Sequence, residues 1–448
     1  MRDSYPSFGM ATPPGRNAIP ANAAIELLQN GTPAAGGLLA YGNGRSYGDS
    51  CQNSGGRLAD MRGRARILSF DAGSGLLQAE AGVLLRDIIA LAAPSGFFPA
   101  VVPGTQLVTL GGAIANDIHG KNHHRRGTFG SHVHSFTLMR SDGTILECGP
   151  RKNEDYFRAT IGGMGLTGLV LGATIRLLKV GSADVDERIS PFSTLDEYFD
   201  RAVEADAENE YAVAWIDQLS GGRKAGRGLL MTANHARHGG GFSLARKPRL
   251  GVPFQPPFNM LNSVSIRLFN AAYRWAKGRR TGVNRAPYRG YFFPLDGVRG
   301  WNRLYGPGGL YQHQSVVPEA VARKAVPALL QAARDAGQAS FLTVLKRFGE
   351  MASPGILSFP RPGYTLTLDF PNRGRATLDL LARLDAITVD AGGAVNPYKD
   401  ARMGADVFAA SFPDWEKLER FRDPAFMSDF WRRTAMRVGP ASLRSAAE

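Results

Sequence analysis

Two stretches of the chain concentrate residues that can do chemistry. The first, Tyr41-Gly42-Asn43-Gly44-Arg45-Ser46-Tyr47-Gly48-Asp49-Ser50, spaces its glycines as GxGxxxG. Glycine tolerates backbone conformations that other residues resist, so the N–H groups of such a loop can wrap a diphosphate as a nest. The second runs from Pro103-Gly104-Thr105 through Thr109-Leu110-Gly111-Gly112-Ala113-Ile114-Ala115-Asn116-Asp117-Ile118-His119-Gly120-Lys121-Asn122-His123-His124. Its small residues from 111 to 115 let backbone pass close to a flat ring or a diphosphate. His119 and Lys121 follow at once, where an acid/base or a cation beside that ring is useful.

Two rival chemistries fit less well. A Rossmann fingerprint needs a strand, GxGxxG, and then a helix whose N-terminus faces the pyrophosphate. The first loop is followed by Asp49 rather than a helix-forming run. A formal GxGxxG occurs at Gly163-Met164-Gly165-Leu166-Thr167-Gly168, with Asp184 and Asp186 downstream, but it follows an expected helix and precedes an expected strand. The order is reversed, and nicotinamide binding is not expected. A metal is the other rival, because five of the eight histidines (His119, His123, His124, His132 and His134) fall in one short span. No HExxH spacing accompanies them and few carboxylates besides Asp117 are near, so no metal is expected. Apart from His119, these histidines read as structural hydrogen-bonding groups.

The elements that must position these residues change character along the chain. In residues 1–180 the pattern predicts a helix at Ala23 to Gln29 and a buried strand at Gly37 to Tyr41 that runs into the first loop. A strand pair follows at Arg66 to Phe70 and Leu77 to Ala81, then an amphipathic helix at Val83 to Ala93 ended by Pro94 and Gly96. Val133 to Met139 and Thr144 to Cys148 predict a hairpin about Ser141-Asp142-Gly143. A helix at Asn153 to Ile161 and a strand at Leu169 to Leu178 complete this part. From 181 onward, strands at Tyr211 to Gln218, Gly228 to Asn234 and Gly363 to Phe370 alternate with helices at Pro318 to Ala336 and Ala376 to Ala391. That is an α+β pattern with a largely antiparallel sheet. The last stretch, 395–448, returns to a Gly-rich turn and helix.

Residues 237–287 differ from both parts. The segment opens His238-Gly239-Gly240-Gly241 and carries Lys247, Arg249, Arg267, Arg274, Lys277, Arg279, Arg280 and Arg285. Phe254, Phe258, Met260, Leu261, Ile266, Leu268, Phe269, Tyr273 and Trp275 are interleaved with them. Such a mixture suits either an anionic membrane surface or a long solvated insertion.

A chain of 448 residues has room for two or three domains. Its two cysteines, Cys51 and Cys148, exclude a disulfide framework and a Cys-rich metal site, which makes a reduced compartment the default. Residues 1–20 hold Pro and Gly where a signal peptide needs an apolar run, and no stretch approaches ~18 uninterrupted apolar residues. A cytoplasmic or peripheral-membrane protein is expected. The net charge of +14 suits nucleic acid, anionic lipid or a phosphorylated substrate. No helix-turn-helix, zinc-finger or RNP-type pattern supports nucleic acid.

The two chemical stretches together resemble the decaprenylphosphoryl-ribose 2'-oxidase-like flavoproteins of the vanillyl-alcohol-oxidase superfamily. The likeness extends through Thr160 to Ala173, Tyr291-Phe292-Phe293-Pro294-Leu295-Asp296 and Trp301-Asn302-Arg303-Leu304-Tyr305-Gly306-Pro307. It continues in Gln312-His313-Gln314, Leu357-Ser358-Phe359-Pro360, Asp369-Phe370-Pro371 and Lys399-Asp400-Ala401-Arg402. The resemblance implies an α+β, two-domain fold. An FAD-binding domain of two small α/β subdomains (1–180, rejoined by 395–448) would carry an inserted antiparallel-sheet substrate domain (181–394). FAD would lie along Tyr41 to Ser50, at Gly104, along Thr109, Leu110, Gly111 and Gly112, along Asn116, Asp117, Ile118 and His119, and near Val170 and Asn396. Relatives often tether the flavin through a histidine in the first loop; Arg45 and Asp49 stand here instead, so non-covalent FAD is expected.

The implied reaction oxidises the 2'-hydroxyl of a polyprenyl-phosphoryl pentose, and a separate NAD(P)H-dependent reductase would then reduce the ketone. By position Lys399 would be the cation beside the flavin and a holder of the substrate hydroxyl. His119 would be the base or a flavin-orienting group. Tyr47, Gln314 and Lys121 would line the sugar or phosphate pocket. Where relatives carry a cysteine in the strand before Asp-Phe-Pro this chain has Thr367, so a thiol-directed inhibitor finds no nucleophile there. The rival readings are an FAD enzyme acting on a soluble alditol, sugar or aldonolactone, and a non-catalytic scaffold.

Overall fold

The computed structural model describes residues 4–31, 35–237 and 250–439. The expected elements stand within two residues of their sequence positions. A three-stranded parallel sheet is formed by Ala18–Pro20, Arg57–Asp60 and Leu38–Tyr41, with Arg57–Asp60 in the middle. Leu38, Leu39 and Tyr41 are all buried, which is why a continuous apolar run sits here rather than an alternating one. The strand delivers the chain directly into the first glycine loop.

A second sheet is antiparallel. Its order is Ile67–Asp71, Leu76–Glu80, Leu169–Lys179, Val133–Met139 and Ile145–Cys148, and Phe97–Pro99 also pairs with Leu169–Lys179. Against it lies a short helix that the sequence pattern did not announce, Leu110–Ala115. Leu110, Ala113 and Ile114 are buried, and Thr109 caps the helix by accepting the Gly112 N–H at 3.2 Å.

The third sheet has eight strands, all antiparallel. Val283–Ala286, Val185–Phe192, Gly228–His235, Tyr211–Ile216, Val344–Phe348, Gly363–Pro371, Leu310–Val317 and Ala394–Val395 follow one another across it. Side chains along a strand alternate between faces. Leu345, Leu366, Leu368, Phe370 and Val317 therefore pack under the helices Leu195–Glu208, Glu319–Asp335 and Arg375–Asp390. The register pairs Gln314 with Thr367, Gln312 with Asp369, and Lys346 with Thr365, so these polar residues share the opposite face.

Within the basic segment, His238-Gly239-Gly240-Gly241, Lys247 and Arg249 lie outside the described residues. The rest is ordered around a sixteen-residue helix, Ser263–Gly278, held by a capping box between Asn262 and Ser265. Ile266 and Asn270 are its buried side chains, and Asn270 donates to Asp217 at 2.8 Å.

The C-terminal residues return to the first loop. Leu38 N–H donates to Ala425 O at 2.7 Å, and the Met427 N–H donates to Leu38 O at 3.0 Å. Asp429 accepts from Ser54, and the Arg433 guanidinium grips Asp49 and Asp400, each at 2.7 Å. Both carboxylates are buried. Removing one partner of a buried ion network strands the others, so Arg433→Ala is expected to lower unfolding stability by about 3–5 kcal/mol, as measured by urea denaturation.

Candidate active site

One cavity of about 1070 Å³ runs between these sheets, larger than the ~300–1,000 Å³ of an ordinary small-molecule site. Its walls include Tyr41, Gly42, Asn43, Gly44, Arg45, Ser46, Tyr47 and Ser50 from the first loop. Gly104, Thr109, Gly111, Gly112, Asn116, Asp117, Ile118, His119 and Lys121 come from the second stretch, and Val170 from the sheet behind it. Gln314, Thr367, Asn396 and Lys399 face them from the eight-stranded sheet and the turn after it. Three of the expected cofactor positions stand behind the wall instead. Gly48 packs on the Asp400 backbone, Asp49 is held by Arg433, and Leu110 is buried in the core.

The glycines are there because nothing larger fits. A Cβ on Gly42 would meet Thr109 Oγ1 at 2.4 Å, and one on Gly44, whose φ is +59°, would meet Tyr41 Oη at 2.2 Å. Gly111 leaves only 3.0 Å to Ala81 Cβ. Asn43 pins the two stretches together by donating to Leu107 O at 2.8 Å. Arg45 Nε and Ser50 Oγ are buried with no hydrogen-bond partner among the described residues. A narrow, donor-rich groove of exposed backbone with spare polar groups fits the diphosphate and flat ring of FAD.

Asp117 acts through its backbone. Its φ of +38° turns the chain out of the short helix, and its carboxylate is consumed by the Gly130 N–H at 2.8 Å, Ser353 Oγ at 2.5 Å and Ser358 Oγ. That turn sets Ile118 and His119 against the cavity.

Cations gather at the far end. Lys399 Nζ lies 5.6 Å from the centre of the Tyr47 ring, which itself packs edge-on against Phe8. Burial holds Lys399 below the ordinary lysine range, opposed by the negative charge of Asp369. Burial in turn raises Asp369, whose carboxylate accepts from Gln312 at 2.5 Å and is drawn back by Lys399. Lys121 donates to Tyr291 O, sits 4.1 Å from that ring's centre, and is pushed down to about 7 by burial. His119 touches Gln314 through Nε2 at 3.1 Å and Lys346 through Nδ1 at 3.0 Å. Sequence reasoning did not single out Lys346, and it named Gln312 and Asp369 only as part of the family likeness, without a role in the site. The signal was present in Thr365-Leu366-Thr367-Leu368-Asp369-Phe370, where strict alternation forces one face to be polar inside a buried strand.

Two of the other clustered histidines bond to backbone: His124 meets Asn209 O at 3.0 Å, and His132 meets Arg126 O at 2.9 Å. His123 departs from the hydrogen-bonding expectation: its ring lies tilted 4.5 Å from Phe348, and among the described residues neither ring nitrogen has a hydrogen-bond partner. Among the described residues no group of three or more His, Cys, Asp or Glu side chains is arranged to hold a metal. Cys51 borders the cavity, but burial pushes its thiol up to about 12 and leaves it a poor nucleophile.

Residues 29–149 match the model of an FAD binding domain family. The chain is 35% identical over 418 residues to decaprenylphosphoryl-beta-D-ribose oxidase of Mycolicibacterium smegmatis, covering 89% of each chain. It is 32% identical to an uncharacterized protein of Streptomyces coelicolor over 79% of this chain and all of that one. A match to mouse L-gulonolactone oxidase, at 31% identity, spans only 31% of the chain.

The glycine groove makes a direct prediction about loading. Gly42→Ala pushes Thr109 off its cap, so the purified variant should remain folded by circular dichroism yet hold far less FAD than the parent. The ratio of flavin to protein absorbance reads this.

Proposed function

The chain belongs to the family of FAD-dependent oxidoreductases that includes decaprenylphosphoryl-beta-D-ribose oxidase, and from that premise we propose that it oxidises the 2'-hydroxyl of a polyprenyl-phosphoryl pentose to the 2'-keto sugar. In this reading residues 1–180 and 395–448 form the FAD lobe and residues 181–394 the substrate lobe. A separate NAD(P)H-dependent reductase completes an epimerisation. Bound FAD supplies a two-electron acceptor for hydride. Lys399 holds the substrate hydroxyl and balances the negative charge that develops, Gln314 and Tyr47 bracket the sugar, and Lys121 lies on the phosphate side.

The observation that carries the lipid-linked substrate is the mouth of the cavity. Val298, Arg299 and Arg303 line it, and both arginines are exposed. Leu250 pairs with Val298, Arg303 donates to the carbonyls of Val252 and Pro253, and Gly306 packs on Phe258. The segment laid beside the opening leaves Leu250, Phe254 and Phe258 about two-thirds exposed, at 67%, 69% and 65%. The helix Ser263–Gly278 adds Val264, Leu268 and Trp275 to the exposed apolar surface, beside Arg267, Arg279 and Arg280. Large apolar groups beside exposed cations suit an anionic bilayer, from which a polyprenyl phosphate would enter. Among the described residues no helix is long and apolar enough to cross a membrane, so the contact proposed is peripheral.

Anaerobic addition of a polyprenyl-phosphoryl ribose is expected to bleach the oxidised-flavin band. Bleaching by a soluble polyol or aldonolactone alone would move the function to an oxidase of soluble substrates. Lys399→Met should slow bleaching about 10²–10³-fold. Because Lys399 must be protonated and burial lowers it, the parent rate should fall on the alkaline side well before a free lysine would lose its proton. Sedimentation with vesicles checks the membrane surface. Binding to anionic but not zwitterionic lipid is expected, and Phe254→Glu with Trp275→Glu should abolish it. No binding to anionic vesicles would remove the proposal.

A further inference from the structure

Lys346 lines the same cavity, from the strand Val344–Phe348, with Nζ 3.0 Å from His119 Nδ1 and 3.1 Å from Gly120 O. The protonation of that contact is set from the far end of a hydrogen-bond chain. The backbone N–H of Tyr398 can only donate, and it meets Asn396 Oδ1 at 2.9 Å. The Asn396 amide is thereby fixed, and its Nδ2 donates to Gln314 Oε1 at 2.9 Å. Gln314 must then turn its NH₂ group outward, with one hydrogen toward Thr365 Oγ1 at 2.9 Å and the other toward His119 Nε2 at 3.1 Å. His119 Nε2 is an acceptor, so a neutral ring carries its proton on Nδ1. Nδ1–H faces Lys346 Nζ. An ammonium has three donors and no acceptor, and would set N–H against N–H. Only an amine offers the lone pair that this contact needs.

The charges that act on the pair favour the same state. Burial, then the positive charges of Lys399 and Lys121, push Lys346 well below the ordinary lysine range. Burial, with Lys346, Lys399 and His123, likewise holds His119 well below an ordinary histidine, against the Gln314 hydrogen bond.

We propose that Lys346, presented as an amine by the chain from Tyr398 through Asn396, Gln314 and His119, is the general base that removes the hydroxyl proton of the substrate. The proposal rests on the alcohol-oxidation reading above. On substrate binding the single Nζ lone pair turns from His119 Nδ1–H to the substrate hydroxyl, whose O–H bond breaks as an Nζ–H bond forms. The electron pair of the adjacent C–H bond leaves as hydride to bound FAD, and the alcohol carbon becomes a carbonyl. The new ammonium faces His119 Nδ1–H and two further lysines, so it returns its proton to water as product departs. His119, with both nitrogens engaged, is a positioning residue.

The test reads charge and rate separately. Nitrogen NMR of the FAD-loaded enzyme with isotopically labelled lysine, assigned by the signal lost in Lys346→Met, should show a neutral-amine resonance at neutral pH. An ammonium resonance would overturn the proposal. In anaerobic single-turnover reduction, Lys346→Met should lose about 10²–10⁴-fold in bleaching rate with FAD content and substrate affinity retained. Added methylamine should restore part of that rate. The parent rate should fall as pH drops and the amine is protonated, and the variant should lack that acid limb. Bleaching of Lys346→Met at the parent rate would sink the idea. If that variant does not fold, Lys346→Gln takes its place. If the sugar lipid leaves the parent flavin oxidised, the substrate reading fails by itself, and whichever alcohol bleaches the parent serves in the same assay.

Discussion

A buried strand with one wet face and one dry face imposes its terms on everything around it. Leu366, Leu368 and Phe370 must be covered by helices, and Thr365, Thr367 and Asp369 must find polar company without bulk water. The neighbouring strands answer with Gln312, Gln314 and Lys346 at matching register. A single residue of slip would bring leucines to the cavity and amides into the apolar core. The apolar packing on one side therefore fixes the position of the polar groups on the other, and the reaction site inherits the rigidity of a hydrophobic core.

Positive charge in that cavity has to be limited. Lys121, Lys346 and Lys399 all border it, and the acid that faces them most directly is Asp369, at the Lys399 end. Three buried ammonium groups, with Asp369 acting on Lys399 and Glu187 on Lys121, would repel one another strongly in a low-dielectric space. Under the proposed roles, one lysine charged beside Asp369 and one kept as an amine against a histidine, a cation and a base can share one cavity. The chemistry of alcohol oxidation needs both.

Much of this was legible in the sequence. The glycine spacing around Gly42 and Gly111, the hairpin at Asp142-Gly143 and the period-two strand ending at Pro371 each follow from local rules. So does the helix from Glu319, whose apolar positions recur on one face. The helix Leu110–Ala115 was not legible, because six residues, four of them Gly or Ala, give no amphipathic period, and what holds them helical is the Thr109 cap and burial against the sheet. Lys346 escaped for a different reason. A lysine in Leu345-Lys346-Arg347 reads as a solvated face, and only the pairing with Thr365 turns it inward. Long-range register is the information that a one-dimensional reading lacks. Gly48, Asp49 and Leu110 show the converse: motif membership placed them near the cofactor, but the fold uses them to support the wall.

The clamp between Arg433 and Asp49 joins residues 384 positions apart. The first glycine loop is thus braced by a segment from the other end of the chain, and the clamp and the groove wall share one set of contacts. A ligand that binds the closed groove and not the open one stabilises the docked C-terminal segment by mass action, so bound FAD also protects the clamp from opening.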